Sequence, residues 1–87
     1  MRDLHLEIVT PEQVVFDQPV GLVEVPGLKG RFTLLRNHAP IIAVLTTGTI
    51  RVVSKTGTEY AFECEGGYLE CEDNKATILV GKIRIVS

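Results

Sequence analysis

The side chain with the clearest potential for acid–base chemistry is the imidazole of His38. It stands before an Ala-Pro pair at a predicted corner of the chain. An imidazole acts as a general base only beside a nucleophile or carboxylate that is close in space, and no motif in the sequence supplies that partner. We therefore interpret His38 as a polar corner residue. A small hydrolase that pairs His38 with a carboxylate is the weaker alternative, and we predict no catalytic residue. His5 lies on a predicted strand with polar neighbours, which favours a surface position.

The segment from Pro26 to Arg31 carries two glycines, Gly27 and Gly30, on either side of a Leu-Lys tip. Phosphate-binding loops place such glycines before a helix and follow them with Gly-Lys-Ser/Thr, and the sequence has neither feature. The pattern is typical of a hairpin turn rather than of a nucleotide site. A turn with an apolar tip residue, Leu28, between cations could still dock on a partner.

A row of glutamates falls at outward positions of the predicted strands. Calcium loops combine carboxylates with a glycine-punctuated turn, which this row lacks, so we predict a solvated sheet face and no metal or cofactor. Glutamates on exposed strands also discourage edge-to-edge aggregation. The row consists of Glu59, Glu63, Glu65, Glu70 and Glu72.

The two cysteines, Cys64 and Cys71, fall at inward positions of the same alternating pattern. There is no CxxC spacing, and the histidines are far away in sequence, which argues against a zinc site. Reduced cysteines that serve as small core residues are the favoured interpretation. A disulfide that closes a hairpin stays open as an alternative.

Size and charge restrict the function further. A chain of 87 residues is expected to form one domain, residues 1–87, with a thin core and little room for a deep substrate cavity. Its net charge of −2 gives no attraction to nucleic acid or to an anionic membrane surface. The longest apolar run, residues 39–45, is far shorter than the roughly 20 residues of a membrane helix, and the first residues lack the pattern of a leader. Any membrane association is thus expected to come through a partner.

Period-two alternation of apolar residues dominates the chain, while helical spacing is almost absent. It predicts an all-β domain, either a sandwich or a flattened barrel. Breaks in the alternation separate ten short strands, at residues 4–9, 14–16, 20–25, 32–35, 41–45, 50–54, 59–65, 69–72, 76–80 and 82–86.

The apolar segment Ile41–Leu45 does not alternate. Such a run is typical of a strand that is buried on both faces. In a small two-layered domain, the second face could be covered by another chain or sealed by the loops of the domain itself. The sequence leaves both possibilities open.

Four segments resemble, in order, the N-terminal β-domain of the epsilon subunit of F-type ATP synthases. The pattern PG-xx-G-x-F-xx-L-xx-HAP followed by GG-x-LE-xx-xN is specific to that family. The segments are LHLEIVTPEQVVFD from Leu4, VPGLKGRFTLLRNHAP from Val25, TTGTIRV from Thr46 and GGYLECEDNKATIL from Gly66.

The resemblance implies a ten-stranded sandwich of two five-stranded sheets in a non-catalytic rotor subunit. Such a subunit links the gamma shaft to the membrane c-ring, on the cytoplasmic face of the bacterial membrane, and helps couple ion flow to ATP synthesis. By that likeness, the c-ring contact comprises Gly27, Leu28, Lys29, Gly30, Arg31 and Phe32. The gamma contact comprises Thr10, His38, Ala39, Pro40, Ile41, Ile42 and Ala43, with the strand continuing to Leu45.

The sequence also departs from the family pattern. Arg31 stands where an acidic residue is common, and Thr33 and Arg36 replace the usual Gly and Pro. The segment from Gly81 replaces the Ala-Asp stretch that leads into a helical hairpin in typical members. We therefore expect no inhibitory hairpin and no ATP binding by this chain. A free-standing β-sandwich that binds a ligand or peptide is the main alternative to the rotor subunit.

Overall fold

The computed structural model describes residues 2–86, and this part of the chain contains β-strands and no helix. The alternation that predicts strands is visible in their burial: in β1, every second residue is buried and the residues between are only partly covered. Apolar side chains on one face of each strand thereby build a single core. The strands are β1 Leu4–Val9, β2 Val14–Val25, β3 Phe32–Leu34, β4 Ile41–Ser54, β5 Glu59–Glu72, β6 Lys75–Leu79 and β7 Ile83–Ile85.

Five of these strands close into a barrel. Their order is β1-β6-β5-β4-β2, and β2 pairs back with β1. The pairing of β1 with β6 is parallel, and the other pairings around the ring are antiparallel. The short strands β3 and β7 extend the sheet beside β2 and β5. Closure gives each of the five strands two neighbours, although β2 and β4 pair with each other only over residues 20–24 and 51–54.

The prediction of an all-β domain is confirmed. Residues 2–86 form seven strands, so the expected ten strands in two sheets are not confirmed at that level of detail. Three pairs of predicted strands run on as single long strands. The predicted break before Val20 lies inside β2, the predicted turn at Thr46–Gly48 lies inside β4, and Gly66–Gly67 lies inside β5. Residues that favour turns thus occur here inside continuous strands. The last predicted strand is shortened to β7.

Pro19 shows why such a break is hard to predict. It lies within β2, in register with His5 of β1. The pairing of β2 with β4 begins only at Val20. One side of β2 therefore has no neighbouring strand at Pro19, and its missing N–H leaves no ladder hydrogen bond unmade.

The core consists of aliphatic side chains from β1, β2, β4, β5 and β6, closed at one end by an aromatic cluster. Phe16 meets Tyr60 and Phe62 edge to face, with ring centroids 5.2 and 5.9 Å apart. Such contacts add stability beyond the buried area. The aromatic cluster thus joins β2 to β5 across the core.

Both cysteines are buried and free, which agrees with the favoured interpretation of the sequence. They lie on one strand, β5, seven positions apart, a separation of roughly 23 Å along an extended chain. A disulfide needs Cα atoms within about 7 Å, so the hairpin disulfide is wrong. Burial raises the pKa of the Cys71 thiol, which favours its neutral form.

Candidate interaction surface

The glycine segment is a turn that folds back onto β4. The Gly30 N–H donates to the Gly27 carbonyl at 3.0 Å, which closes the turn. The Leu28 N–H then donates to the Val44 carbonyl, and the Thr46 N–H donates to the Pro26 carbonyl, both at 2.8 Å. These bonds fix the turn beside the first half of β4. The predicted c-ring contact and the predicted gamma contact, which are separate in the sequence, are therefore neighbours in the structure.

Gly27 is required by this close approach. A Cβ at Gly27 would lie 2.6 Å from the Gly30 carbonyl oxygen and 2.8 Å from a ring carbon of Phe32. Gly30 has φ 127°, a conformation that glycine adopts at little cost. The two glycines therefore serve the turn and its packing, in agreement with the hairpin-turn interpretation.

The tip of the turn is its accessible part. Gly27 is buried and Phe32 is half-buried against the core, whereas residues 28–31 are exposed. Leu28 is 65% exposed. The Arg31 guanidinium lies 3.3 Å from a carboxylate oxygen of Glu24, so its charge is partly compensated within the domain. A groove of about 540 Å³ with mainly apolar walls is lined by the turn and by the first residues of β4.

An apolar face lies next to this groove, and we define it by Ile42, Val44, Tyr68 and Leu79. Val44 is in register with Tyr68 on β5, and Tyr68 is in register with Leu79 on β6. The four side chains are 76, 47, 59 and 52% exposed. Neighbouring strands are about 4.8 Å apart, so these side chains form a continuous surface rather than scattered residues.

The prediction that Ile41–Leu45 is buried on both faces is therefore wrong for the chain by itself. Ile41, Ala43 and Leu45 point toward the core, and Ile42 and Val44 point away from it. Sealing of the outer face by the domain's own loops is excluded, because Ile42 is largely exposed. The run lacks polar alternation because its outward residues are apolar too.

Thr10 lies at one end of the apolar face. It lines a shallow groove together with Tyr68 and Leu79. Its hydroxyl accepts hydrogen bonds from the N–H groups of Glu12 and Gln13, both at 3.2 Å, and so holds the turn between β1 and β2. The hydroxyl of the half-buried Thr10 side chain is thus engaged within the domain.

His38 lies at the opposite end, in the corner that precedes β4. The corner comprises residues 35–40, between β3 and β4. The Nδ1 atom of His38 donates to the Ala39 carbonyl at 2.6 Å, and the side chain is half-buried. Ala39 and Pro40 are exposed beside it. The predicted gamma contact therefore runs from this corner along β4, with Thr10 at the far end.

Tyr68 and Leu79 belong to the apolar face but were not among the predicted contacts. Each occupies an outward position at which the neighbouring strand residues are polar or charged, such as Glu70. An aromatic side chain at an outward position of a glutamate-rich strand is the signal that could have indicated Tyr68. Leu79 becomes recognisable only once β6 is in register with β5.

The glutamate row behaves as a solvated face. Glu59 and Glu63 pair with Arg51 and Arg84, with N–O distances of 3.2 and 2.6 Å. Within residues 2–86, no group of three His, Cys, Asp or Glu side chains is placed to hold a metal ion. His5 is partly exposed, and its Nε2 donates to the Asp17 carboxylate. The same part of the chain has no helix long and apolar enough to cross a membrane.

The geometry defines a class of protein: a small all-β domain whose outer apolar face and protruding turn suit protein–protein contact. Residues 3–85 match the family described as ATP synthase, Delta/Epsilon chain, beta-sandwich domain. The chain belongs to this family.

Curated relatives agree with that assignment. An ATP synthase epsilon chain of Campylobacter fetus subsp. fetus is 36% identical over 80 residues, which are 92% of this chain and 62% of the relative. One of Chlorobium limicola is 40% identical over 78 residues, 90% of this chain and 89% of the relative. The chain thus spans less than two thirds of the first relative and most of the second.

Two solved assemblies contain chains of the same fold. In a structure of the Euglena gracilis mitochondrial ATP synthase with OSCP, F1 and c-ring, one chain matches with a TM-score of 0.88 at 17% identity. The match covers 97% of this chain and 53% of that chain. In a structure of the central stalk and c-ring of the Tetrahymena thermophila mitochondrial ATP synthase, one chain matches with a TM-score of 0.79 at 15% identity. This match covers 94% of this chain and 66% of that chain.

Proposed function

We propose that this chain acts in the central stalk of an F-type ATP synthase as the β-domain of an epsilon subunit. The family assignment and the names of the relatives support this role. The observation that carries it is the apolar face, which the chain itself leaves uncovered next to an anchored turn. Contiguous apolar surface of this kind is typical of a protein interface.

In this proposal the gamma subunit covers the apolar face. Ile42 is the central candidate, since it is 76% exposed and stands between the His38 corner and Val44. Thr10 and residues 38–43 border the face, and Tyr68 and Leu79 extend it across β5 and β6. A few fully desolvated side chains near the centre of an interface contribute most of its binding energy.

The turn contacts the c-ring in the same proposal. Only the tip, residues 28–31, is exposed, so Gly27 and Phe32 would support the contact rather than make it. Leu28 offers an apolar anchor, and Lys29 and Arg31 offer positive charge beside it. The chain would lie peripherally, on the cytoplasmic face of a bacterial membrane, and reach the membrane through the c-ring.

The mechanism proposed is mechanical. Rotation of the ring, driven by ions, would be passed to gamma through a domain that resists shear. A closed barrel suits this purpose because each of its five strands is paired with two neighbouring strands. Bond chemistry is not part of the role, and the Nδ1 atom of His38 is already engaged by the Ala39 carbonyl.

We further propose that the barrel is flattened into two five-stranded layers. The halves of the long strands have different neighbours. The C-terminal half of β2 pairs with β3 and β4, and its N-terminal half pairs with β1. β5 likewise pairs with β7 near Phe62 and with β6 from Tyr68 onward. Ten strand segments in two layers would account for these pairings.

ATP binding is not expected of residues 2–86. The glycine turn runs into β3 rather than into a helix, so no helix N-terminus faces it. Isothermal titration of the chain with Mg-ATP tests this directly, and tight binding would contradict it.

The experiment for the rotor role is affinity capture from bacterial membranes with the tagged 87-residue chain, followed by mass spectrometry. We expect gamma, c, alpha and beta chains to be recovered. Ile42→Asp should abolish recovery of gamma while circular dichroism and the melting temperature remain close to those of the parent. Ile85→Asp is the matched control, because Ile85 is 68% exposed on β7, away from the apolar face.

Each result has a distinct meaning. Recovery of none of these chains by the folded parent would refute the rotor role and favour the free-standing binding module. Unfolding of the Ile42→Asp chain would show that this strand serves the core and that the interface lies elsewhere. Equal loss with Ile85→Asp would move the interface away from the apolar face.

A further inference from the structure

Two asparagines far apart in sequence, Asn37 and Asn74, are joined by a reciprocal pair of hydrogen bonds. The backbone N–H of Asn37 donates to Oδ1 of Asn74 at 2.6 Å. The Nδ2 group of Asn74 donates to Oδ1 of Asn37 at 3.0 Å. We call this pair the amide clasp. It connects the corner of residues 35–40 to the turn between β5 and β6.

The backbone at both asparagines fits this use. Asn37 has φ 68° and Asn74 has φ 63°, and asparagine tolerates this left-handed region better than most residues. Asp73, with φ 55°, completes a two-residue hairpin turn with Asn74. Glycine would satisfy the backbone at either position equally well. The amide side chains therefore supply something that the turn conformations alone do not need.

Asn74 is a fixed point to which the corner can be attached. Its carbonyl accepts the N–H of His5 at 2.9 Å, which ties the turn to β1 of the barrel. Within the corner, the His38 N–H donates to the Leu35 carbonyl at 3.1 Å. That bond shapes the corner locally, whereas the amide clasp attaches it to the barrel.

We propose that Asn74 is a positioning residue for the interaction surface: its amide holds the corner, and with it His38 and the entry to β4, in the orientation that binds the partner. This inference rests on the proposed function for the identity of the partner. Its physical basis is preorganisation, because a corner that is ordered before binding costs less entropy when the complex forms.

Amide hydrogen exchange measured by NMR tests the first half of the inference on the chain alone. Asn74→Gly keeps the backbone conformation available and removes both hydrogen bonds of the clasp. We expect the Asn37 and His38 amides to exchange about tenfold faster, as the loss of a hydrogen-bonded anchor implies. The amide of Ile50, in the core, should keep its rate.

Substitutions at Asn37 provide a second, independent set of variants. Asn37→Asp retains an acceptor for Nδ2 of Asn74, so exchange in the corner should stay near the parent rate. Asn37→Gly removes that acceptor and should accelerate exchange of the His38 amide. Ser54→Ala is the structural control, because the Ser54 hydroxyl accepts the Thr58 N–H at 3.0 Å in the hairpin at the other end of β4.

The second half is tested by the affinity for a purified F1 complex that contains gamma and has been stripped of this subunit. Asn74→Gly and Asn37→Gly should bind about five- to tenfold more weakly, and Asn37→Asp should bind like the parent. Ser54→Ala should lower the melting temperature but leave the affinity unchanged. This pattern separates positioning from a general loss of stability.

Unchanged exchange in the corner of both glycine variants would overturn the inference without touching the proposed function. Faster exchange with unchanged affinity would overturn the positioning role. Failure of the parent chain itself to bind would refute the proposed function, and the positioning role with it.

Discussion

The two halves of the β4–β5 ribbon have similar interiors and different exteriors. In the half next to the 55–58 hairpin, the inward residues include Ile50, Val52 and Phe62; in the other half they include Leu45 and Leu69. All are buried and apolar. Both halves therefore contribute buried apolar side chains to the core, and they differ only on their outer surfaces.

The outer surface of the hairpin half is charged. Arg51 faces Glu59, with a guanidinium–carboxylate distance of 3.2 Å, and Glu63 faces Arg84 of β7 at 2.6 Å. Opposite charges on adjacent strands are typical of a sheet face in water. We define this surface as the charged face.

The apolar face covers the outer surface of the other half and continues onto β6 at Leu79. Its four large apolar side chains gain nothing from exposure to water, and the core does not need them there. Since one ribbon carries both surfaces, strand propensity does not explain the difference. The partner that we propose, which would cover only one half, explains it.

The strongest test of this inside–outside distinction compares two adjacent residues of β5. Leu69 is fully buried and Tyr68 is 59% exposed. Leu69→Ala should lower the free energy of unfolding by about 3 kcal/mol, through lost burial and the cavity that remains. Tyr68→Ala should lower it by less than about 1 kcal/mol. Urea denaturation followed by circular dichroism measures both.

Partner binding should show the opposite order. Tyr68→Ala is expected to weaken capture of gamma, whereas folded Leu69→Ala protein should still bind. If Tyr68→Ala destabilised the chain as much as Leu69→Ala, the apolar face would belong to the core and the comparison would fail.

The boundary between the two halves depends on Gly67, and its substitution should have the next largest effect. A Cβ at Gly67 would lie 2.3 Å from the Leu79 carbonyl oxygen, and its φ of 155° is strained for other residues. Gly67→Ala should therefore cost about 2 kcal/mol of unfolding free energy. The midpoint of urea unfolding reports this loss.

Gly81→Ala is the control for that substitution. No atom lies within 4 Å of a Cβ built at Gly81, apart from its own neighbours in the chain. Its stability should change by no more than about 0.5 kcal/mol. Equal effects at Gly67 and Gly81 would mean that the ribbon does not need the glycine where its halves meet.

Much of the fold follows from the sequence because inward apolar positions obey a local rule. The positions of β1, β6 and the Asp73–Asn74 turn agree with the prediction, and the inward residues of β5 are correct at Cys64 and Cys71. The continuity of the long strands was not predicted, because a glycine pair such as Gly66–Gly67 occurs both in turns between strands and inside continuous strands. Only the register with the partner strands distinguishes the two.

The candidate site was harder to predict, for a different reason. A run such as Ile41–Leu45 records that both faces are apolar, but not whether the second face is covered by the chain or by a partner. Tyr68 and Leu79 join Val44 only through strand register. The amide clasp joins positions 37 residues apart, and no local pattern predicts such a pair.

The smallest expected effect on the free energy of unfolding comes from substitutions on the charged face. Arg84 and Glu63 form an ion pair, but their side chains are 72 and 48% exposed, so water and salt screen the attraction. Arg84→Gln should lower the free energy of unfolding by less than about 0.5 kcal/mol, and the loss should shrink at high salt. Urea titrations at low and high ionic strength measure it.

Binding to gamma should be unaffected by Arg84→Gln, because the charged face lies outside the proposed interface. Arg51→Gln removes the other ion pair of that face and should behave alike. A large loss of gamma binding in either variant, with the fold intact, would show that the partner covers both halves of the ribbon. The change from an apolar to a charged surface would then lie inside a wider interface and would not mark the edge of the interface.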